Sequence, residues 1–221
     1  MNPNFSEEKK LWRQGFECVV GLDEAGRGPL AGPVVACAVV VNSKIKNQKS
    51  KLQFKIQNLV IKDSKKLSEK QREFFYEKLT NDENIKWGIG VVSEKVIDKI
   101  NILEATKLAM QKAVKRIGMS DIPSSFLLID GNFGLQAKIA ERSIIKGDSK
   151  VFSICAAGII AKVTRDRLME KAHKKYPQYG FDKHKGYGTA LHIKNISQFG
   201  VLPIHRKSFW PVSYHNKLST D

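Results

Sequence analysis

The sequence predicts a mixed α/β protein with a helical C-terminal part, on three observations. Short apolar runs bounded by Gly and Pro recur through the first two thirds of the chain and read as buried strands. Amphipathic stretches with helical spacing and capping residues stand between and after them. Three of the strand candidates end in, or just before, an acidic residue: Asp23-Glu24, Asp130 and Asp148. In open α/β sheets ligands bind outside the strand ends, so acids placed there can meet on one rim.

The elements follow in order. Residues 18–23 form the first strand, closed by the tight segment Glu24-Ala25-Gly26-Arg27-Gly28-Pro29. Val34 to Val41 is a second apolar run. Asn42 to Gln57, rich in Lys, Gln and Ser, reads as an exposed loop or insertion. Ser68-Glu69-Lys70-Gln71 has the form of a capping box and opens a helix to about Leu79. Trp87 to Val92, with alternating glycines, is a third strand. Asn101 can cap a helix from Ile102 to Ile117, with Leu103, Thr106, Met110, Ala113 and Ile117 on one face and Gly118 at its end. Phe126 to Asp130 and Ser143 to Lys146 are two further strands. A long helix runs from about Ser149 to Lys175, and another covers Ala190 to Phe199. One domain of residues 1–221 is expected, with an α/β core over about 18–175 and a helical portion over about 176–221.

Composition narrows the function. The chain has 221 residues, 42% of them hydrophobic, and a net charge of +16 from 38 Lys and Arg against 22 Asp and Glu. Such an excess favours a polyanionic partner. Cys18, Cys37 and Cys155 are odd in number and have neither metal nor redox spacing, so they read as small core residues in a reducing compartment. The histidines lack zinc spacing. Residues 1–17 are polar and charged, and the longest apolar run, Pro29 to Val41, is too short to span a bilayer. A cytoplasmic protein without membrane association is expected, and a monomer.

The acids carry the chemistry. Clustered carboxylates repel unless cations hold them, and oxygen-only ligands suit Mg²⁺ or Mn²⁺. Each acid has a plain alternative: Asp23-Glu24 as an acidic turn, Asp130-Gly131 as a turn pair, Asp148 or Ser149 as an N-cap. Their coincidence at three strand ends favours one site. Asp23 and Glu24 point to opposite faces of a strand, so sharing that site requires a bend or a backbone ligand. Gly26-Arg27-Gly28 offers free amides for a phosphate or hydroxyl beside the first acid. Lys183-His184-Lys185-Gly186-Tyr187-Gly188 combines cations with an aromatic, as a nucleic-acid contact does, and a basic loop with a half-buried Tyr is the alternative. Lys162, Arg165 and Arg167, and His205-Arg206-Lys207, are further basic candidates, whose alternative is a solvated face.

These motifs carry a resemblance. Gly21-Leu22-Asp23-Glu24-Ala25-Gly26-Arg27-Gly28-Pro29-Leu30-Ala31-Gly32-Pro33-Val34-Val35 resembles the opening signature of bacterial type 2 ribonuclease H. Asp63-Ser64-Lys65-Lys66-Leu67-Ser68, Asn101 with Glu104 to Met110, Leu128 to Gly131, Lys146 to Ser149, Ile159 to Asp166, His184 to Tyr187 and Gly200 to Arg206 are similar to the family in the same order. The likeness spans residues 18 to about 212. It implies a ribonuclease H-like fold, a five-stranded mixed sheet flanked by helices. It implies hydrolysis of the RNA strand of RNA–DNA hybrids and nicking 5′ of single ribonucleotides in duplex DNA, by two metal ions, Mn²⁺ or Mg²⁺, giving 3′-hydroxyl and 5′-phosphate ends. A role in ribonucleotide removal and RNA primer processing goes with that activity. On the same likeness Asp23, Glu24, Asp130 and Asp148 bind metal and catalyse. Gly26, Arg27 and Gly28 hold the 2′-hydroxyl, and Tyr187 packs on the sugar at the RNA–DNA junction.

Gly158 departs from the family, which usually has a Ser between Ala157 and Ile159; the Asn42 to Gln57 loop looks longer than usual, and the chain stops soon after Pro211. A type 3 ribonuclease H also uses four acids. It lacks the Gly26-Arg27-Gly28 form of the loop and usually has an N-terminal substrate-binding domain, for which the residues before Cys18 leave no room. A non-catalytic hybrid-binding module is the other alternative, and the four acids argue against it.

Overall fold

A computed structural model describes residues 3–41, 67–118 and 124–218. The Asn42 to Gln57 segment and Asp63 to Lys66 lie outside the described residues. Five strands, β1 (Cys18–Ala25), β2 (Val34–Val41), β3 (Ile85–Val92), β4 (Ser125–Asp130) and β5 (Ala140–Ile144), form one mixed sheet in the order β3-β2-β1-β4-β5. β1 pairs antiparallel with β2 and parallel with β4, and β4 pairs parallel with β5. The C-terminal ends of β1, β4 and β5 therefore share one rim, the one that carries the acids.

The helices are α1 (Ser6–Arg13), α2 (Glu69–Thr80), α3 (Glu94–Arg116), α4 (Phe152–Lys175), α5 (Phe181–His184), α6 (Ala190–Phe199) and α7 (Val212–Leu218). Alternation along β1 divides the core. Val19 joins α1, α2 and the apolar first half of α4 on one face, while Val20 and Leu22 join α3 on the other. Gly88 and Gly90 of β3 let α3 approach, since a Cβ on either would meet the backbone of α3. A third cluster holds the C-terminal portion: Leu30, Ala31, Met169, Tyr179, Phe181, Ile196 and Val212.

Three local readings need correction. α3 begins at Glu94, before Asn101. Asn101 has φ 64 and ψ 169, and its Oδ1 accepts from the amides of Leu103 and Glu104, so it caps the second part of a kinked helix. α4 begins at Phe152, and neither Asp148 nor Ser149 caps it. Residues Gly147–Ser149 form a separate 3₁₀ turn, and Val151 is the N-cap, without a side-chain bond. β5 lies at Ala140–Ile144 and not at Ser143 to Lys146. It is a polar edge strand placed by its pairing with β4, and Lys146 is left-handed at φ 56. The capping box at Ser68 and Gln71 is present with both reciprocal bonds.

Candidate active site

A cleft of about 380 Å³ opens at the acidic rim. Its walls include Asp23, Glu24, Gly26, Arg27, Gly28, Arg72, Asp130, Gly158, Lys162 and Tyr187. β1 continues to Ala25, and Gly26 turns with φ 96, so the bend follows both acids rather than separating them. Asp23 and Glu24 leave opposite faces of the strand, and both reach the cleft because it lies at the strand's end.

Asp23 is 7% exposed and faces α4. A Cβ at Gly158 would run into its Oδ2, so the glycine gives the carboxylate room against the helix. Asp23 Oδ1 accepts from the Glu24 amide at 2.7 Å. Glu24 is paired with Arg27, 3.5 Å away. Asp130 Oδ1 accepts from the Gly147 amide at 2.7 Å, which ties the end of β4 to the turn holding Asp148. Asp148 is buried there and is not in the cleft wall, yet its charge acts on Asp23. Burial, then the charges of Glu24 and Asp130, and last that of Asp148, hold the Asp23 carboxyl well above the usual carboxylate range. Among the described residues no three His, Cys, Asp or Glu side chains are drawn together into a metal-binding group. The donor chemistry nevertheless fits a hard divalent ion. It is oxygen-only, and buried Asp23 is crowded by like charge, the condition a cation relieves.

The cleft lining is also basic and aromatic. Arg72 from α2 and Lys162 from α4 contribute cations; burial lowers the pKa of Lys162 despite its ion pair with Asp166 at 2.6 Å. Tyr187 is 44% exposed, and its ring lies near Gly28 and 5.9 Å from the Arg165 guanidinium. Its carbonyl accepts from Thr189 N–H and from His192 Nδ1, while His192 Nε2 accepts from His205 Nε2 at 3.0 Å. The directions are fixed because His205 Nδ1 already accepts from the Leu202 amide. Burial keeps these histidines neutral, with His192 pushed down to about 4 and His205 to about 3.

Several basic residues have other tasks than a phosphate contact. Arg165 and Arg206 are fully buried and bond only to backbone carbonyls among the described residues. His184 and His205 are buried, Lys185 pairs with Glu170, and Arg167 pairs with Glu73. Arg72 was not legible as a site residue, because nothing in the sequence of α2 separates it from the other cations of that helix.

Solved structures share this architecture, and curated relatives share the sequence. Ribonuclease H2 from Pyrococcus horikoshii OT3 superposes with a TM-score of 0.68 at 27% identity, over 92% of this chain and 99% of that one. Bst-RNase HIII, solved in complex with Mn²⁺, has a TM-score of 0.70 over 95% of this chain and 72% of its own, at 18% identity, a likeness of fold. The fold and the site define a hydrolytic endonuclease of the ribonuclease H class. Ribonuclease HII from Chlamydia muridarum is 52% identical over 205 residues, covering 93% of this chain and 88% of that protein. Ribonuclease HII from Bacillus licheniformis is 46% identical over 210 residues, 95% and 76% of the two chains. The Ribonuclease HII family profile matches residues 20–212, and the chain belongs to that family.

Proposed function

We propose that this ribonuclease H cuts the RNA strand of RNA–DNA hybrids and also nicks on the 5′ side of a single ribonucleotide in duplex DNA. The products have 3′-hydroxyl and 5′-phosphate ends, and the cellular use is ribonucleotide removal and RNA primer processing. The observation that carries this reading is one cleft shared by Asp23, Glu24 and Asp130, the Gly26-Arg27-Gly28 backbone and the Tyr187 ring.

Each part has a chemical task. Asp23, Glu24, Asp130 and Asp148 would hold two divalent ions, Mn²⁺ or Mg²⁺. When bound, such ions supply activation of a water and charge stabilisation at the leaving 3′-oxygen. Arg72 and Lys162 bind backbone phosphates on the basic wall, contacts that position a duplex without reading its sequence. The 2′-hydroxyl is the local chemical mark of a ribonucleotide. The amides of the Gly26-Arg27-Gly28 segment are donors suited to it, and the Tyr187 ring packs on the sugar at the junction.

The test is cleavage of three duplexes of one sequence: all DNA, DNA with one ribonucleotide, and full RNA–DNA hybrid, each with Mg²⁺, Mn²⁺ or EDTA. The expected result is metal-dependent cutting of the last two, with the single-ribonucleotide nick on its 5′ side. Cutting of the hybrid alone would leave a ribonuclease H without junction specificity and sink the finer reading.

A further inference from the structure

Arg206 reaches the loop after β1 from the far end of the chain. Its side chain is fully buried. Nη2 donates to the Gly26 carbonyl at 2.6 Å, Nη1 to the Arg27 carbonyl at 2.8 Å and Nε to the Gly32 carbonyl at 3.0 Å. Its own amide donates to the Leu30 carbonyl. Burying a guanidinium that makes no ion pair among the described residues is costly unless its donors are satisfied, and here backbone carbonyls satisfy them.

Peptide planarity gives this clamp a consequence on the other side of the loop. In a trans peptide the N–H of one residue points opposite to the carbonyl of the residue before it. Drawing the Gly26 and Arg27 carbonyls onto Arg206 therefore turns the Arg27 and Gly28 amides away from the buried side. Gly26, Arg27 and Gly28 line the cleft, so away from Arg206 is toward the cleft. Behind them Gly26 packs against Arg165, where a Cβ would run into the guanidinium stem. Arg165 itself holds the carbonyls of Ala31, Pro33 and Lys185, which fixes the loop against the segment that carries Tyr187.

We propose that Arg206 is the positioning residue of the ribose-reading loop: by gripping two successive carbonyls it presents the Arg27 and Gly28 amides to the cleft as a fixed pair of donors for the 2′-hydroxyl. The inference rests on the reading of the cleft given under Proposed function. It assigns to the C-terminal portion a share in substrate choice, although Arg206 itself touches no substrate.

The test is the ratio of dissociation constants for all-DNA duplex and for the same duplex with one ribonucleotide. It is measured in EDTA, so that no strand is cut, beside a thermal melt. Arg206→Lys keeps the charge, but one ammonium cannot span three carbonyls in a fixed fan. The expected result is a roughly tenfold fall in the ratio, the worth of one good hydrogen bond, in a protein still folded at the assay temperature. A folded Arg206→Lys that keeps the wild-type ratio overturns the inference, because a purely structural role would lower the melting temperature and leave the preference intact. If Arg206→Lys does not fold, ¹⁵N-labelled wild-type protein decides. Its Arg27 and Gly28 amide resonances should shift with the ribonucleotide duplex and not with all-DNA duplex, and equal shifts overturn the inference. A wild-type protein that distinguishes the duplexes neither in binding nor in cutting overturns the reading of function instead, and this inference with it.

Discussion

Asp23 is a buried carboxylate beside three others, and its environment disfavours charge until a cation arrives. Asp23→Asn removes that repulsion and, on the function proposed above, one metal ligand together. The expected outcome is loss of cleavage, a higher melting temperature in EDTA, and loss of the upward shift that Mn²⁺ gives the wild type. A ligand that binds only the folded state stabilises it by about 2.7 kcal/mol at a hundred times its Kd, so the wild-type shift is readily measured by calorimetry. Near wild-type turnover of Asp23→Asn in Mg²⁺ would refute the assignment. Tyr187 poses a separate question. Its ring is exposed in the cleft while its carbonyl is held from behind, so truncating the ring leaves the loop's anchors in place. Stacking contacts of this kind are worth roughly 1–3 kcal/mol. Tyr187→Ala should slow nicking at a single ribonucleotide about ten- to a hundredfold, and slow cutting of continuous hybrid less, as read from single-turnover rates. Equal losses on both substrates would make Tyr187 structural.

Among the elements, α4 does the most positioning, and its start is secured from a distance. Glu8 of α1 is fully buried, and its Oε1 accepts from both the amide and the hydroxyl of Ser153 in the first turn of α4. An acceptor at a helix N-terminus satisfies orphan donors and complements the dipole. Burial raises the Glu8 carboxyl above its usual range, against the hydrogen bonds from Ser153. Glu8→Ala leaves the Ser153 donors unpaired at a cost of about 1–3 kcal/mol. For a chain of this size that lowers Tm by roughly 2–4 °C per kcal/mol. An unchanged Tm in a thermal melt would show that water replaces Glu8 there. Since α4 also carries Gly158 against Asp23 and Lys162 in the cleft, a modest loss of activity should accompany the loss of stability.

At the scale of the whole molecule, two buried histidines should draw stability down on mild acidification, against the opposite contribution of the raised Asp23 and Glu8 carboxyls. His192 and His205 are held neutral in the fold, with pKa values of about 4 and about 3 against 6.5 for the free side chain. The unfolded chain takes up these protons below pH 6.5, while the folded chain refuses them until about pH 4 and pH 3. Their contribution is therefore complete above pH 6.5 and is lost as pH falls toward 4 and then 3, at up to about 1.4 kcal/mol per pH unit for each histidine. Urea melts between pH 7 and pH 4.5 would measure it. His205→Asn should flatten the profile, and an equally steep one would place the sensitivity elsewhere. Because His205 and His192 support the Tyr187 carbonyl, the same protonation should loosen the cleft wall.

Much of this was legible in the sequence, and the division has a physical reason. Strands β1, β2 and β4 announce themselves as apolar runs, because burial on both faces demands it. The capping box at Ser68 and the cap at Asn101 are local chemistry, decided within a few residues. The rim placement of Asp23 and Asp130 follows from their position near strand ends, whereas Asp148 sits in the turn after β5, and the motif order carries the family. What needed the tertiary structure is whatever depends on distant partners. Helix α1 hides in a polar N-terminus because only Phe5, Leu11 and Trp12 reach the core. The edge strand β5 has too little buried surface to leave a pattern. Arg165 and Arg206 look like surface cations, and only the packed loops, with carbonyls turned inward, make them internal clamps. A sequence states which groups are charged; whether a charge faces water, phosphate or a carbonyl is settled by what folds over it.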